Sequence, residues 1–463
     1  MNRKSKTRRL RPSARTFLES IHEFLTPAIW KYAHAGRGRS KSSRWDTQPL
    51  ILCLLVITWC CGDSQAERFE TAKGLTTACL VKRRRPGQTV QGFQKALAKL
   101  PMPALRAVAA GIRRLLLATL DLSHEGFIAL GCDGSGLLCP RTRELEKRLD
   151  ESVKGAAGAP QVWVTALVHL RSGLLWAWHF GKGHNRERSH LRMLLTTLPA
   201  AALLVADPGF NGYELARTLT AAGVSFLIRM SGKDRLYTMS ATPLDMTTFE
   251  EGEVLSWPDE ARRAGLPPQR VRLVCIRRRD KRDVWLLTNV LDAKRLTREM
   301  AGRYYRQRWE NEGLFRTYKQ TLKKVKLMSR TVRLVHREAE GSMIATQILL
   351  AIGASSLRRD KQANVAAGQP QPTAREPKMP RSSPRKILLA LRKVCSGKVG
   401  VRDVAFGKQI TKARPEHRPN RTSKKESRVW PGRAPYKATK PPICRPLPID
   451  IKGSAATLLE LKT

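Results

Sequence analysis

The chain has 463 residues, 41% of them hydrophobic, with 86 Lys plus Arg against 38 Asp plus Glu, a formal net charge of +48. That apolar share is enough for a real core and argues against wholesale disorder. A field of this size and sign favours polyanions and makes nucleic acid the first partner to test. The nine cysteines hold no CxxC pair and no even framework, which argues for a reducing compartment without structural disulfides or a cysteine zinc site.

In chain order, residues 1–45 form a basic N-terminal arm with 12 Lys plus Arg against Glu19 and Glu23. No apolar run follows that would make the arm a signal peptide. The most apolar stretch, 50–61, is about a dozen residues, too short to span a bilayer. It predicts a buried helix in a protein with no membrane association, cytoplasmic and bound to the nucleoid. Helical spacing recurs over 66–80, 91–100 and 102–120, punctuated by Pro86, Gly87, Pro101 and Pro103. A small helical domain over 46–125 follows from this.

The texture changes at 126–132, a short apolar run ending in Asp133-Gly134-Ser135. Residues 161–170 and 174–180 flank Arg171-Ser172-Gly173 and predict a hairpin. A buried strand over 201–206 ends at Asp207-Pro208-Gly209, followed by a helix over 211–222 and a strand over 224–230. Strand-like patterns fill 231–290, as in 271–276 and 284–290. Residues 297–326 predict one long helix with Thr297 as its N-cap. The tail, 361–463, carries 24 Lys plus Arg against six acids and 13 of the 27 prolines. It is expected to be extended and largely disordered, with one short helix over 386–394.

On an ideal helix advancing about 100° per residue, Tyr305, Arg308, Glu312 and Lys319 share one stripe roughly 60° wide. Leu314, Tyr318, Leu322 and Val325 face the opposite, core side, and Lys324 falls outside the stripe. An isolated stripe of this kind is more often a solvated face, with Arg308 and Glu312 an ordinary i,i+4 pair. Asp133 and Asp207 change the balance, because each is expected to end a short apolar strand, where a sheet presents its ligands. Either one alone is more often a turn aspartate bonding its own backbone. Three carboxylates, two at strand ends and one on a later helix, suit a hard cation such as magnesium. Two such ions promote phosphodiester cleavage. His179, His184 and His190 also lie close in sequence, but without accompanying cysteines zinc is the weaker reading. Arg186, Arg188 and Arg192 beside them suit phosphate contacts or a solvated charge run.

With Asp133 in GCDGSGL, Asp207 in LLVADPGFNGYEL and a complete Tyr-x2-Arg-x3-Glu-x6-Lys signature at Tyr305, Arg308, Glu312 and Lys319, the chain resembles the DDE transposases of the insertion-sequence-four family. The resemblance covers roughly 127–355. It implies an α/β fold whose catalytic core, 126–355, is ribonuclease-H-like with a β-rich insertion at about 231–290. A small helical domain precedes that core and a basic Pro-rich tail follows it. It also implies that Asp133, Asp207 and Glu312 bind two Mg2+ ions, with Mn2+ substituting, and that Tyr305, Arg308 and Lys319 hold the DNA strand. Trp309 beside them suits stacking on a displaced base or simple packing. One departure is Asn311, where the family usually has an apolar residue.

The implied activity is cutting at the ends of an insertion sequence and joining them to target DNA. Region 46–125 would recognise the terminal inverted repeats, and a homodimer would pair the two ends in a synaptic complex. Two alternatives use the same residues: a structure-selective nuclease on the same fold, and an inactive transposase-derived DNA-binding protein.

Overall fold

The computed structural model describes residues 15–34, 44–80, 86–151, 158–181, 187–232, 234–278, 283–324, 326–366 and 382–403. Helices open the chain: α1 (Phe17–Phe24), α2 (Pro27–His34), α3 (Thr47–Trp59), α4 (Gln65–Cys79), α5 (Val90–Lys99) and α6 (Met102–Thr119). Strand β1 (Ile128–Leu138), helix α7 (Arg143–Arg148) and strands β2 (Asp150–Glu151), β3 (Pro160–His169) and β4 (Leu174–Gly181) follow. Next come α8 (Glu187–Leu194), β5 (Ala202–Ala206), α9 (Tyr213–Ala221), β6 (Ser225–Arg229), β7 (Leu236–Tyr237), β8 (Glu251–Ser256), α10 (Asp259–Arg263), β9 (Gln269–Ile276) and β10 (Val284–Thr288). The chain then forms α11 (Arg298–Gln307), α12 (Glu310–Arg316), a π-helical turn (Thr317–Thr321), α13 (Val332–Ala366) and α14 (Pro384–Cys395).

Contacts divide the chain into two compact units. The described residues of the first come from 15–122, 134–181 and 310–403; those of the second from 123–133 and 187–309. The helical region 46–125 is therefore not a unit of its own, because α13 packs on α3, α5 and α6 as well as on β4. Trp59 Nε1 donates to Ala345 O at 3.2 Å, and Gly341 lies so close to Leu54 that a Cβ there would fall 2.5 Å from its Cγ. Helices α1 and α2 fall within the expected basic arm. Thr16 caps α1 through a complete capping box with Glu19, and the helix buries Phe17, Ile21 and Phe24. Helix α14 lies inside the stretch expected to be extended; it buries Ile387, Leu388, Leu391 and Val394 and packs on α13 and α3. The rest of that tail, 404–463, lies outside the described residues. Also in this unit, β3 and β4 form the expected antiparallel hairpin, with Gly173 at φ +72° in its turn, and β1 pairs with β3.

The second unit is built on a twisted sheet in the order β1, β5, β6, β10, β9, β8, β7. β1, β5 and β6 run parallel, and the remaining neighbours pair antiparallel. Strands β7 to β10 fill the region 231–290, where the strand-like patterns were read. Asn289 closes the parallel end: its Oδ1 accepts from Phe226 N at 2.9 Å and its Nδ2 donates to Val224 O at 3.0 Å. Helix α11 packs on β5 and β9, capped by the Thr297 side chain accepting from Met300 N, as expected. No helix among the described residues is long and apolar enough to cross a membrane.

Candidate active site

The two aspartates both lie in the second unit. β1 was expected to stop at Asp133; it continues to Leu138, so Asp133 sits inside the strand. Its burial pattern still marks the position: Ile128 to Cys132 are buried, and the strand turns half-exposed over Asp133 to Gly136. Asp207 follows β5 directly and caps the short turn Pro208–Phe210, its Oδ1 accepting from Gly209 N at 2.9 Å. The sheet register relates the two. Parallel β1 and β5 pair Ile128 with Ala202 through Gly131 with Val205, and the same register carried two residues further puts Asp133 level with Asp207. Neighbouring strands lie roughly 4.8 Å apart, and level residues on parallel strands project to the same face. Sequence reading found the two strand positions but had no access to the register.

Cys132, the residue before Asp133 in β1, is fully buried, and its thiol is pushed well above its ordinary value. Burial is the main cause, and the carboxylates of Glu187, Asp133 and Asp207 add to it. Glu187, the first residue of α8, was not singled out from the sequence; it sits in a stretch where the arginines and histidines drew the reading. The next residue ties α8 to the aspartate turn, with Arg188 Nε donating to Gly209 O at 2.9 Å. Asn211, at the end of this turn, is tied to a further carboxylate. Asn211 Nδ2 donates to Asp234 Oδ2 at 2.5 Å, and the same oxygen accepts from Ser231 N at 2.7 Å. Burial raises the Asp234 carboxyl to about 6 despite these donors.

The signature segment is not one helix. α11 ends at Gln307, Arg308 and Trp309 form a break, α12 starts at Glu310, and Thr317–Thr321 make a π turn. The projected stripe assumed an unbroken 100° advance and does not survive these changes. Tyr305 and Arg308 end the second unit, where the Arg308 guanidinium lies 5.7 Å from the Tyr305 ring and 5.6 Å from that of Trp309. Trp309 is 61% exposed, which removes the packing role left open for it. Arg308 Nε is buried and has no hydrogen-bond partner among the described residues.

Glu312 and Lys319 belong to the first unit. Glu312 is exposed in the first turn of α12, a position that favours an acid through the helix dipole. Lys319 sits half-buried in the π turn, and burial lowers its ammonium. The expected core side is observed: Leu314, Tyr318 and Leu322 are buried, and Tyr318 shares a 2.6 Å hydrogen bond with Ser342 of α13. Val325 lies outside the described residues. Asn311 is fully buried and neither end of its amide has a partner there. Lys324, expected to be a bystander, is 1% exposed and reaches Glu338 Oε1 at 3.3 Å.

Of the three histidines, His184 lies outside the described residues; His179 and His190 fall in different units. Burial, with the Arg106 charge, lowers the His179 imidazole. Among the described residues no group of three or more His, Cys, Asp or Glu is arranged to hold a metal ion unaided.

Residues 132–348, which hold Asp133, Asp207 and the whole Tyr-Arg-Glu-Lys signature, match the family model described as the transposase DDE domain. Transposase InsG for insertion sequence element IS4 of Escherichia coli is 25% identical over 366 residues, covering 73% of this chain and 77% of its own length. Among solved structures, the cryo-EM piggyBac transposase synaptic complex with hairpin DNA aligns with 83% of this chain and 80% of its own, at 11% identity and a TM-score of 0.43. The matched domain and the InsG relative both support a DDE transposase of the insertion-sequence-four family.

Proposed function

We propose that this transposase cuts phosphodiester bonds at the ends of its own insertion sequence and joins the freed 3′ ends to target DNA. The observation that carries the reading is the β1–β5 register, which puts Asp133 level with Asp207 inside the span matched to the DDE domain. A ribonuclease-H-like core is supported by an antiparallel β3–β4 hairpin, by β1 pairing with both β3 and β5, and by β6 lying parallel beside β5.

The donor set fits magnesium. Mg2+ takes one or two carboxylates and completes its octahedron with water and substrate phosphate oxygens. Asp133 and Asp207 are half-exposed hard-oxygen donors at the edge of a buried strand pair, and Glu312 is the third carboxylate of the proposed set. When bound, two such ions would lower the barrier for in-line attack by water or a 3′ hydroxyl, with Mn2+ able to replace Mg2+. The protein's own groups do the positioning. Arg308, its ring-flanked guanidinium offering an unpartnered N–H, and the Lys319 ammonium would hold phosphate oxygens. The Tyr305 hydroxyl would add a contact to the same strand. The exposed Trp309 ring offers a stacking face for a displaced base.

Double-stranded DNA, as terminal inverted repeats and as target, is the partner that a +48 chain attracts. A homodimer would bring the two ends together. Attraction of this kind would keep the protein on the nucleoid. Asp133→Asn, Asp207→Asn and Glu312→Gln test the assignment on DNA carrying the element's ends. Each should abolish Mg2+-dependent cleavage while leaving DNA binding nearly unchanged, since binding rests on the cations. Undiminished cleavage by any one of the three would remove that residue from the site.

A further inference from the structure

Three helices of the first unit end in cysteine. Cys60 caps the C-terminus of α3, Cys79 is the last residue of α4, and Cys395 is the last residue of α14. Among the described residues all cysteines are free thiols. We propose that Cys60 and Cys395 form an oxidisable dithiol, a modification site at which a peroxide closes a disulfide between the ends of α3 and α14.

The placement comes from the packing of the two helices. Arg392 Nε donates to the carbonyl of Trp59 at 3.2 Å, which pins the last turn of α14 to the last turn of α3. Cys395 is three residues beyond Arg392 and therefore on the same helix face, while Cys60 immediately follows Trp59. Buried Ile387, Leu388, Leu391 and Val394 hold α14 in this position, and the Cys60 and Cys395 thiols lie close enough to perturb each other's ionisation.

The two sulfurs are not equivalent. Interaction with Cys60, helped by the Arg392 charge, pulls the Cys395 thiol below its ordinary value. The same interaction, together with burial, pushes Cys60 far up. Cys60 is 2% exposed, whereas Cys395 is half-buried and open to a small oxidant. Cys395 is thus the attacking thiolate and Cys60 the resolving thiol. Attack of the Cys395 thiolate on hydrogen peroxide breaks the O–O bond, forms the sulfenic acid and releases hydroxide, which takes up the proton Cys395 had lost. The Cys60 thiol then attacks that sulfur and expels water. Two thiols and one peroxide give one disulfide and two waters, and two electrons pass from sulfur to oxygen. Cys53 and Cys79, each pushed up to about 12 by burial, stay inert. Among the described residues, exposed Cys61 is the neighbouring thiol that competes.

The test uses the full chain, treated with hydrogen peroxide and digested without reductant for peptide mass spectrometry. The expected result is a dominant Cys60–Cys395 cross-linked peptide pair that dithiothreitol reverses. Cys395→Ser should lose the cross-link. Cys60→Ser should leave Cys395 as a sulfenic acid that dimedone traps, which a purely packing role would not produce. A dominant Cys61–Cys395 or Cys79–Cys395 pair, or an unmodified Cys395 in oxidised protein, would overturn the proposal.

Discussion

Replacing Glu338 by Ala should loosen the segment behind the signature far more than any surface charge change could. Glu338, on α13 and 7% exposed, accepts from three donors: Lys324 Nζ at 3.3 Å, Met328 N at 3.1 and 3.0 Å on its two oxygens, and Ser329 N at 2.8 Å. Lys324 is 1% exposed, so its charge has no route to water without local unfolding. Removing one partner of a buried pair costs about 3–5 kcal/mol, and each orphaned buried N–H adds about 1–3 kcal/mol before relaxation. Partial relaxation makes about 4 kcal/mol the working figure. Lys324→Met should cost much less, since Glu338 keeps both backbone donors and an apolar stem fills the site. Native-state hydrogen exchange is the right assay, because a chain of two units need not unfold in one step. A 4 kcal/mol loss corresponds to roughly 1,000-fold faster exchange at the Met328 and Ser329 amides if they open through this segment. Unchanged protection at those amides in Glu338→Ala would refute the reasoning, as would equal effects of the two variants.

Because Lys324 is structural, it cannot serve as the neutral control for the DNA contacts; exposed Arg316 can. In single-turnover cleavage of a pre-nicked end, Arg308→Ala and Lys319→Ala should each slow the reaction by about two orders of magnitude, the scale of one lost transition-state contact. Arg316→Ala should leave it near wild type, and equal rates for all three would reduce the signature cations to a solvated face. Burial, opposed by Arg106, raises the Glu340 carboxyl to about 7 from an ordinary 4.5. A raised carboxyl makes the folded state hold its proton longer than the unfolded one. Its stabilisation is therefore complete below about pH 4.5 and lost as pH rises through 7, at most about 3 kcal/mol. The difference in stability between wild type and Glu340→Gln should trace that window and cancel the opposite trend from His179 and His336, whose imidazoles burial lowers. Gly111→Ala should destabilise by about 1–3 kcal/mol through overpacking, because its Cβ would stand 2.6 Å from Ile29 Cγ1. An ordinary exposed helix position would gain about 1 kcal/mol from the same change.

Short apolar or alternating segments bounded by turn residues were legible in the sequence, and a long helix with polar side chains in its interior was not. The β3–β4 hairpin, β5, α9 and β6 alternate or repeat against turn residues, and the structure puts them within a residue or two of the expected bounds. Helix α13 was missed although it is 35 residues long. From Glu338 to Ile352 it is buried on every side, with Glu338, Glu340, Ser342, Thr346 and Gln347 all in the interior. A helix packed all round shows no apolar stripe, so periodicity has nothing to detect. Interior polar side chains further disguise it as loop-like sequence. The same helix explains why 46–125 is not a separate unit, although the contacts do divide near its expected end at Leu122, since α13 binds α3, α5 and α6 to β4.

The site divides along a similar line. Asp133 and Asp207 were readable because an acid next to an apolar strand is a composition signal, visible without any partner. Their alignment was not, since register depends on which residues of β1 and β5 exchange hydrogen bonds. The signature residues were readable as a spacing, and the spacing was then over-interpreted as geometry. A 3.6-residue repeat holds only while every turn keeps its i to i−4 bond. The break at Arg308–Trp309 and the π turn at Thr317–Thr321 each shift the phase, and both fall inside the fourteen-residue step from Tyr305 to Lys319. π turns are inserted residues that helices tolerate chiefly where function requires a side chain to be re-aimed. The irregularity sits on the segment that carries the signature, and regular helix continues where α13 has only packing to satisfy. A sequence pattern can therefore survive as chemistry even after it has failed as a helical wheel.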